Sequence, residues 1–287
     1  MPATVATLRA GQEVDGVFAC TRKDRMTART GAPYLAVELR DASGRVAARA
    51  FRDADVLAGR FERGDLVRVR GRVERFRDEL QVELTDIAKA SEVEADPSAF
   101  LPVTYRDMEE LDGFLEHLAR EVHDTGYAAL LEGLLGDERL RAEWRRAPCT
   151  RDGHHAYLGG LLEHTVAVGQ LAVETCALHV RLDSDLLVTA ALVHDLGKVR
   201  EFTYGAEIGV SDEGRMLGHV ELGLEMLRER CGALERSRWL ALSHCVLTHH
   251  GAERAPARRF ASAEALALFR INALDASVKG ALEHGLG

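Results

Sequence analysis

Seven side chains that can bind metal recur down the second half of this 287-residue sequence: His164, the pair His194-Asp195, His219, the pair His249-His250, and Asp275. A neutral imidazole offers one nitrogen lone pair and a carboxylate offers several oxygen lone pairs, so the series could hold divalent cations. Its placement on helices is more telling than its composition. Leu268, Ile271, Asp275, Val278 and Leu282 follow a 3-4-3-4 spacing, which puts Asp275 inside the apolar stripe of a helix. His164 falls likewise among Leu161, Val168 and Leu171, His194 with Leu187 and Ala191, and His249 after Trp239, Leu242 and Val246. A single inward histidine is ordinarily a hydrogen-bonded core residue. A buried carboxylate, however, is costly unless a cation or several donors meet it. Inward ligands arriving from several helices are how helical proteins build metal sites in their cores.

Ligand type narrows the metal. Imidazole and carboxylate favour Mn²⁺, Fe²⁺, Co²⁺ or Zn²⁺ over Mg²⁺ and Ca²⁺, which prefer oxygen-only shells. Cys20, Cys149, Cys176, Cys231 and Cys245 are scattered, odd in number and never paired as CxxC, which argues against a thiolate zinc site or a disulfide framework. The candidates outnumber what one ion needs. Two ions about 3.5–4 Å apart would use them, with a carboxylate and an activated hydroxide between them, an arrangement suited to phosphoester hydrolysis.

These residues need elements to position them. From residue 104 onward the period is helical, with helices expected near 107–122, 126–145, 158–180, 184–196, 219–231, 236–249 and 263–283. The stretch 199–217 reads as a loop or short hairpin. Residues 91–103, acidic and with two prolines, read as a linker. Residues 12–90 alternate as strands do, for example in YLAVEL (34–39), RVAARAF (45–51), LVRVRGRV (66–73) and LQVELTDI (80–87). About five short strands in that length suggest a small barrel. The segment from Gly64-Asp65, turning at Arg77-Asp78 and returning to Ile87, looks like the closing half of an OB-fold. The expected fold is therefore two domains, a small all-β barrel over 1–90 and an all-α domain over 104–287.

Composition bounds the class. With 46% hydrophobic and 29% charged residues the chain reads as globular, and no apolar run is long enough to span a membrane. The N-terminus lacks the form of a secretory signal and the cysteines suit a reducing compartment, so a cytoplasmic location is expected. Residues 1–90 hold 17 Lys and Arg against 14 Asp and Glu, while the remainder holds 20 against 32; all 12 histidines lie between His117 and His284. The barrel's candidate phosphate contacts are Arg22, Lys23 and Arg25 in one turn, and Arg68, Arg70, Arg72 and Arg75 along a strand. Arg68, Arg70 and Arg72 share its outer face if the intervening valines are core. Arg151, just before His154 and His155, joins these candidates. Aromatics are few (Phe18, Tyr34, Phe51, Phe61, Phe76), and some must fill the barrel, so weak and sequence-tolerant binding is expected. The bland alternative is a solvated arginine face balanced by Glu74, Glu79 and Glu83.

The motifs also carry a family resemblance. The order H-(HD)-H-(HH)-D, with HDLGK at 194–198, resembles the HD superfamily of metal-dependent phosphohydrolases. HHAYLGGLLEHT (154–165), LVHDLGKVREF (192–202), GRMLGHVELG (214–223) and LTHHGAE (247–253) resemble the YhaM-type 3′→5′ exoribonucleases, which join an N-terminal OB-fold to an HD domain. The resemblance implies that His164, His194, Asp195 and Asp275 hold a first ion, and that Asp195 bridges to a second held by His219 and by His249 or His250. It makes Lys198 a phosphate clamp and gives Gly197 the turn at the helix end. His154 and His155 become substrate-facing groups that protonate the leaving oxygen or hold phosphate. It implies Mn²⁺ as the metal, single-stranded RNA as the substrate, with DNA and assembly into a homo-oligomer both open, and nucleoside 5′-monophosphates as products. A small nucleotide or cyclic dinucleotide is the alternative substrate. A non-catalytic nucleic-acid-binding protein with structural metals is the alternative class.

Overall fold

The computed structural model describes residues 4–285 apart from 29, 92, 93, 95 and 233. The chain divides into two compact units, Met1–Leu101 with Tyr204–Gly209, and Pro102–Thr203 with Val210–Gly287.

In the first unit five strands close a barrel: β1 (Glu13–Thr27), β2 (Pro33–Asp41), β3 (Gly44–Ala50), β4 (Leu66–Phe76) and β5 (Glu79–Lys89). They neighbour one another in the order β1-β2-β3-β5-β4, with β3 and β5 parallel. A short helix, α1 (Ala54–Ala58), joins β3 to β4. The expected barrel is present, and its alternation explains it. On β4, Val67, Val69 and Val73 are buried while Arg70 and Arg72 face solvent. Arg77 and Asp78 take left-handed backbone angles, φ 50° and 65°, giving the two-residue hairpin that matches strand twist. The register slips between Arg70 and Gly71, and a Cβ at Gly71 would stand 2.2 Å from the Glu83 carbonyl oxygen, so only glycine fits. Ala206 is fully buried among Ala19, Leu66 and Ala90; its N–H donates to the Gly64 carbonyl at 3.1 Å, and its own carbonyl accepts from Arg40 at 2.8 Å.

The second unit is helical, as expected: α2 (Met108–Arg120), α3 (Thr125–Leu135), α4 (Glu138–Arg146), α5 (Gly160–Leu178), α6 (Ser184–Val193), α7 (Lys198–Glu201), α8 (Asp212–Met216), α9 (Gly218–Arg230), α10 (Arg236–Thr248) and α11 (Ala263–His284). Short polar residues start many of them. Asp107, Asp124, Asp137, Asp183, Ser211 and Ser262 each accept a first-turn backbone N–H. Among the described residues no helix is long and apolar enough to cross a membrane.

Three expectations change. The helix expected over 126–145 is two, because Gly136 ends α3 and Asp137 caps α4; Leu130 and Leu134 are buried on the first, Leu140 and Trp144 on the second. The stretch 199–217 holds the expected short hairpin, β6 (Phe202–Tyr204) and β7 (Ile208–Val210), but with α7 and α8 on either side of it. On α11 the apolar stripe is core only as far as Ile271; Val278 and Leu282 are exposed. Of the expected linker, residues 92, 93 and 95 lie outside the described residues, and Pro97–Ala99 form a 3-10 turn capped by Asp96.

Candidate active site

Five helices deliver the inward residues. His164 lies on α5, His194 and Asp195 fill the turn after α6, His219 lies in the first turn of α9, His249 and His250 follow α10, and Asp275 lies midway along α11. His164, His194, Asp195 and His249 are almost wholly buried.

Hydrogen bonds fix which imidazole nitrogen faces inward. His194 Nδ1 lies 2.8 Å from the Ala191 carbonyl and His249 Nδ1 lies 2.5 Å from that of Val246. A carbonyl can only accept, so each Nδ1 carries the proton and each Nε2 presents a lone pair. Glu201 meets His219 in the same way, Oε2 to Nδ1 at 3.1 Å, and Asp275 Oδ2 meets His164 Nδ1 at 2.6 Å. The four Nε2 atoms then converge on Asp195. Those of His164 and His194 lie 3.4 and 3.3 Å from Oδ2; those of His219 and His249 lie 3.5 and 3.4 Å from Oδ1. His250 Nε2 stands 2.9 Å from His219 Nε2.

Acceptors facing acceptors need something positive between them. Asp195 Oδ1 and His249 Nε2 are buried without a hydrogen-bond partner, which metal binding would explain. Asp195, His219, His249 and His250 each offer an atom within 4.8 Å of the others, as do His154, His155, His164 and Asp275, and also Cys149, His164 and Asp195. The donor set therefore fits divalent cations. Asp275 meets His164 from the far side of its ring, rather than from the side that faces His194 and Asp195.

Electrostatics set His164 apart from His249 and His250. Burial pushes His249 down to about 4 and lowers His250 as well, leaving both neutral near pH 7. Burial also opposes charge on His164, but its hydrogen bonds to Asp195 and Asp275 outweigh that and raise it. Burial would raise Asp195, yet Lys198 and the surrounding imidazoles hold it well below the carboxylate range.

Lys198 lies in the interior, not open to solvent as a phosphate clamp would be: it is 5% exposed, with Nζ 2.7 Å from Asp195 Oδ2 and 3.4 Å from Cys149 Sγ. Sequence reading set Cys149 aside because it has no nearby partner cysteine. Burial pushes its thiol up to about 12, so it stays protonated beside the site. Gly197 has helical angles, φ −63°, so the turn expected of it is not the reason for glycine. A Cβ there would stand 2.0 Å from the His219 carbonyl oxygen and 2.5 Å from Gly223 N, so its role is to let α9 approach.

The two preceding histidines separate. His155 is 1% exposed, takes a left-handed φ of 53°, and lies between Glu163 (3.8 Å) and Asp275 (3.9 Å), so its ring is not in the substrate-facing place expected for it. Its N–H donates to Glu283 at 2.9 Å, which helps hold that backbone. His154 is half-buried, its ring centroid 5.2 Å from that of His164. Burial lowers His154 to about 4 and His155 to about 3. Sequence reading missed Glu163, a buried carboxylate accepting from Thr104 (2.6 Å), Tyr157 (3.0 Å) and Lys279 (2.7 Å). It also missed Glu201. No periodicity marks either one.

On the barrel, most expected cations are already paired. Arg22 meets Asp24 and Arg25 meets Asp55. Lys23 meets Glu62 and the Phe61 carbonyl, and Arg68 and Arg70 both meet Asp15. Arg68 also reaches Glu94, so Asp15 and Glu94 balance this face rather than the glutamates expected to. Arg151 meets Asp152. Arg72 and Arg75 are exposed, with no ion pair among the described residues. A different surface was missed. The rings of Tyr34 and Phe51 lie 5.4 Å apart, the Arg49 guanidinium lies over Tyr34 (5.7 Å) and Phe76 (5.3 Å), and Arg77 also lies over Phe76 (5.3 Å). Phe51 and Phe76 are about half exposed, and such aromatic and guanidinium planes are what bases stack on.

Comparison with known proteins agrees with both units. Residues 161–277 match the HD domain model, and residues 19–90 match the model of an OB-fold nucleic acid binding domain. Three curated relatives are each described as 3′-5′ exoribonuclease YhaM. That of Oceanobacillus iheyensis is 27% identical, covering 86% of this chain and 78% of the relative. That of Shouchella clausii is 26% identical, covering 85% and 76%, and that of Bacillus velezensis is 28% identical, covering 84% and 77%.

Proposed function

We propose, from the premise that this chain is an HD-domain protein with an OB-fold ahead of it and is similar along most of its length to the YhaM 3′-5′ exoribonucleases, that it is a metal-dependent exoribonuclease. It removes nucleoside 5′-monophosphates from the 3′ end of single-stranded RNA. The observation that carries this reading is the two-sided environment of Asp195. One oxygen faces the Nε2 atoms of His164 and His194, and the other faces those of His219 and His249.

On this reading Asp195 with His164, His194, His219 and His249, and His250 in support of His219, would hold two divalent ions, Mn²⁺ first among Mn²⁺, Fe²⁺, Co²⁺ and Zn²⁺. When bound, such a pair supplies an activated hydroxide and neutralises phosphoryl charge. The chain's own residues do the rest. Ala191, Val246, Glu201 and Asp275 fix the tautomers and aim of the four rings. Lys198 balances the buried charge at Asp195. His154, neutral and half-buried, donates a hydrogen bond to a phosphoryl or leaving oxygen. The barrel holds the strand through Tyr34, Phe51 and Phe76 with Arg49, Arg72, Arg75 and Arg77. Base stacking does not read the 2′-hydroxyl, so DNA competes for the same surface. A cytoplasmic location belongs to the same proposal, supported by five free cysteines.

The test is cleavage of 5′-labelled single-stranded RNA with Mn²⁺ by the wild-type chain and by Asp195→Ala. A ladder shortening from the 3′ end, lost in the variant, is the expected result. Intact RNA under the wild-type chain would remove the proposal and turn attention to small nucleotides.

A further inference from the structure

We infer that Tyr105, backed by Lys279, is a nucleobase-stacking site of the helical unit, taking a base of the single strand close to the nucleotide being cut. This rests on the exonuclease reading above. Tyr105 is 82% exposed, although the backbone around it is pinned. The Thr104 N–H donates to the Leu158 carbonyl at 2.9 Å, and the Pro102 carbonyl accepts from Leu158 at 3.0 Å. The Thr104 hydroxyl donates to Glu163 at 2.6 Å and accepts the Arg106 N–H at 3.1 Å; Asp107 then caps α2. A large ring that stands in water on so fixed a segment presents area at little entropic cost to whatever it binds.

The surroundings indicate what that ligand is. Lys279 Nζ lies 5.2 Å from the Tyr105 ring centroid and 5.7 Å from that of Tyr157, while Glu163 holds the ammonium at 2.7 Å. With the ammonium answered by Glu163 and by Glu283 at 3.6 Å, what this setting offers a ligand is a flat, exposed ring face, which suits a planar base. The site also lies close to the candidate centre. Lys279 is one turn after Asp275 on α11, about 6 Å along the axis. Glu163, which grips Lys279, directly precedes His164 on α5 and lies 3.8 Å from His155. A strand with its terminal phosphate at the histidine cluster can therefore bring a neighbouring base onto Tyr105.

The test uses the full chain and a 5′-fluorescein single-stranded RNA, with binding read by anisotropy in EDTA, where turnover cannot interfere. Tyr105→Ala is expected to raise Kd roughly 5- to 100-fold, and Tyr105→Phe, which keeps the ring, to change it less than about twofold. On an RNA whose last nucleotides lack bases, wild type and Tyr105→Ala should bind alike. Equal Kd for wild type and Tyr105→Ala on the base-bearing RNA overturns the site, as does an equal loss on the abasic RNA. Thermal unfolding of both variants should match wild type, since the ring is exposed. Trimming of the same RNA with Mn²⁺ is scored separately. Trimming with Tyr105-independent binding sinks the stacking site and keeps the nuclease. Tyr105-dependent binding without trimming sinks the nuclease and keeps the nucleobase site.

Discussion

Lys198 Nζ lies 2.7 Å from Asp195 Oδ2, the same oxygen that faces the Nε2 atoms of His164 and His194. Both residues are almost wholly buried, so the ammonium is compensation for a carboxylate that water cannot reach. Lys198→Met removes one partner of a buried pair and should cost about 3–5 kcal/mol of stability in EDTA. Divalent metal should restore more thermal stability to the variant than to wild type, since ion and ammonium compensate the same charge. Denaturant unfolding with and without Mn²⁺ measures both, and an unchanged unfolding midpoint in EDTA would contradict the argument.

Metal affinity should fall as pH falls. An imidazole must lose its extra proton before it can ligate. His164 loses that proton less readily than a free imidazole, because its hydrogen bonds to Asp195 and Asp275 outweigh the effect of burial. Binding of Mn²⁺ near the ordinary imidazole value, about pH 6.5, should therefore release protons, with affinity rising as pH rises above it. Calorimetry in buffers of different ionisation enthalpy counts those protons. Asp275→Asn should reduce the count, because one of the groups that raise His164 is gone.

Glu163, next to His164 in the chain, offers a second pH prediction. Burial would raise its carboxyl, but Lys279, Thr104 and Tyr157 override that and hold it below its ordinary value. A carboxyl depressed in the folded state adds stability that is complete above the unfolded value, and that is lost as pH falls through the folded one. Glu163→Gln should thus cost about 1–3 kcal/mol near pH 7. The gap to wild type should close below about pH 4.3, the ordinary glutamate value. A gap constant down to acid pH would show that the carboxylate charge is not what stabilises.

Gly197→Ala tests whether α9 is placed by that close approach. The added methyl would lie 2.0 Å from a backbone oxygen that no side-chain rotation can move. The cost is about 1–3 kcal/mol of overpacking. Because the displaced backbone carries His219, the bound metal per chain should also fall, as measured by elemental analysis. Full metal content with lowered stability would separate packing from ligand placement.

On the barrel, Phe76→Ala should weaken binding of single-stranded RNA roughly 5- to 100-fold. Arg70→Ala should do little, since Arg70 already answers Asp15. Arg72→Ala and Arg75→Ala should each lower the salt dependence of binding by about one phosphate contact. Anisotropy titrations at several salt concentrations distinguish the four variants. A larger loss for Arg70→Ala than for Phe76→Ala would return the interface to the β4 arginine face.

The sequence by itself determined the barrel followed by helices, and the inward direction of the histidines and aspartates. Both follow from local repetition: alternation on β4 buries Val67, Val69 and Val73, and helical spacing buries His164, His194 and His249. Repetition misleads where an apolar period outlasts its element. It does not mark the break at Gly136-Asp137, and it carries the α11 stripe on to the exposed Val278 and Leu282. Only the tertiary structure decided that the two oxygens of Asp195 serve different imidazole pairs, and that Cys149 lies beside Lys198. It alone brought Glu163 to Lys279, and Arg49 to Phe76. A residue's face is set by its own few neighbours along the chain. Which atom it meets depends on how elements far apart in sequence cross, and no spacing within one element records that.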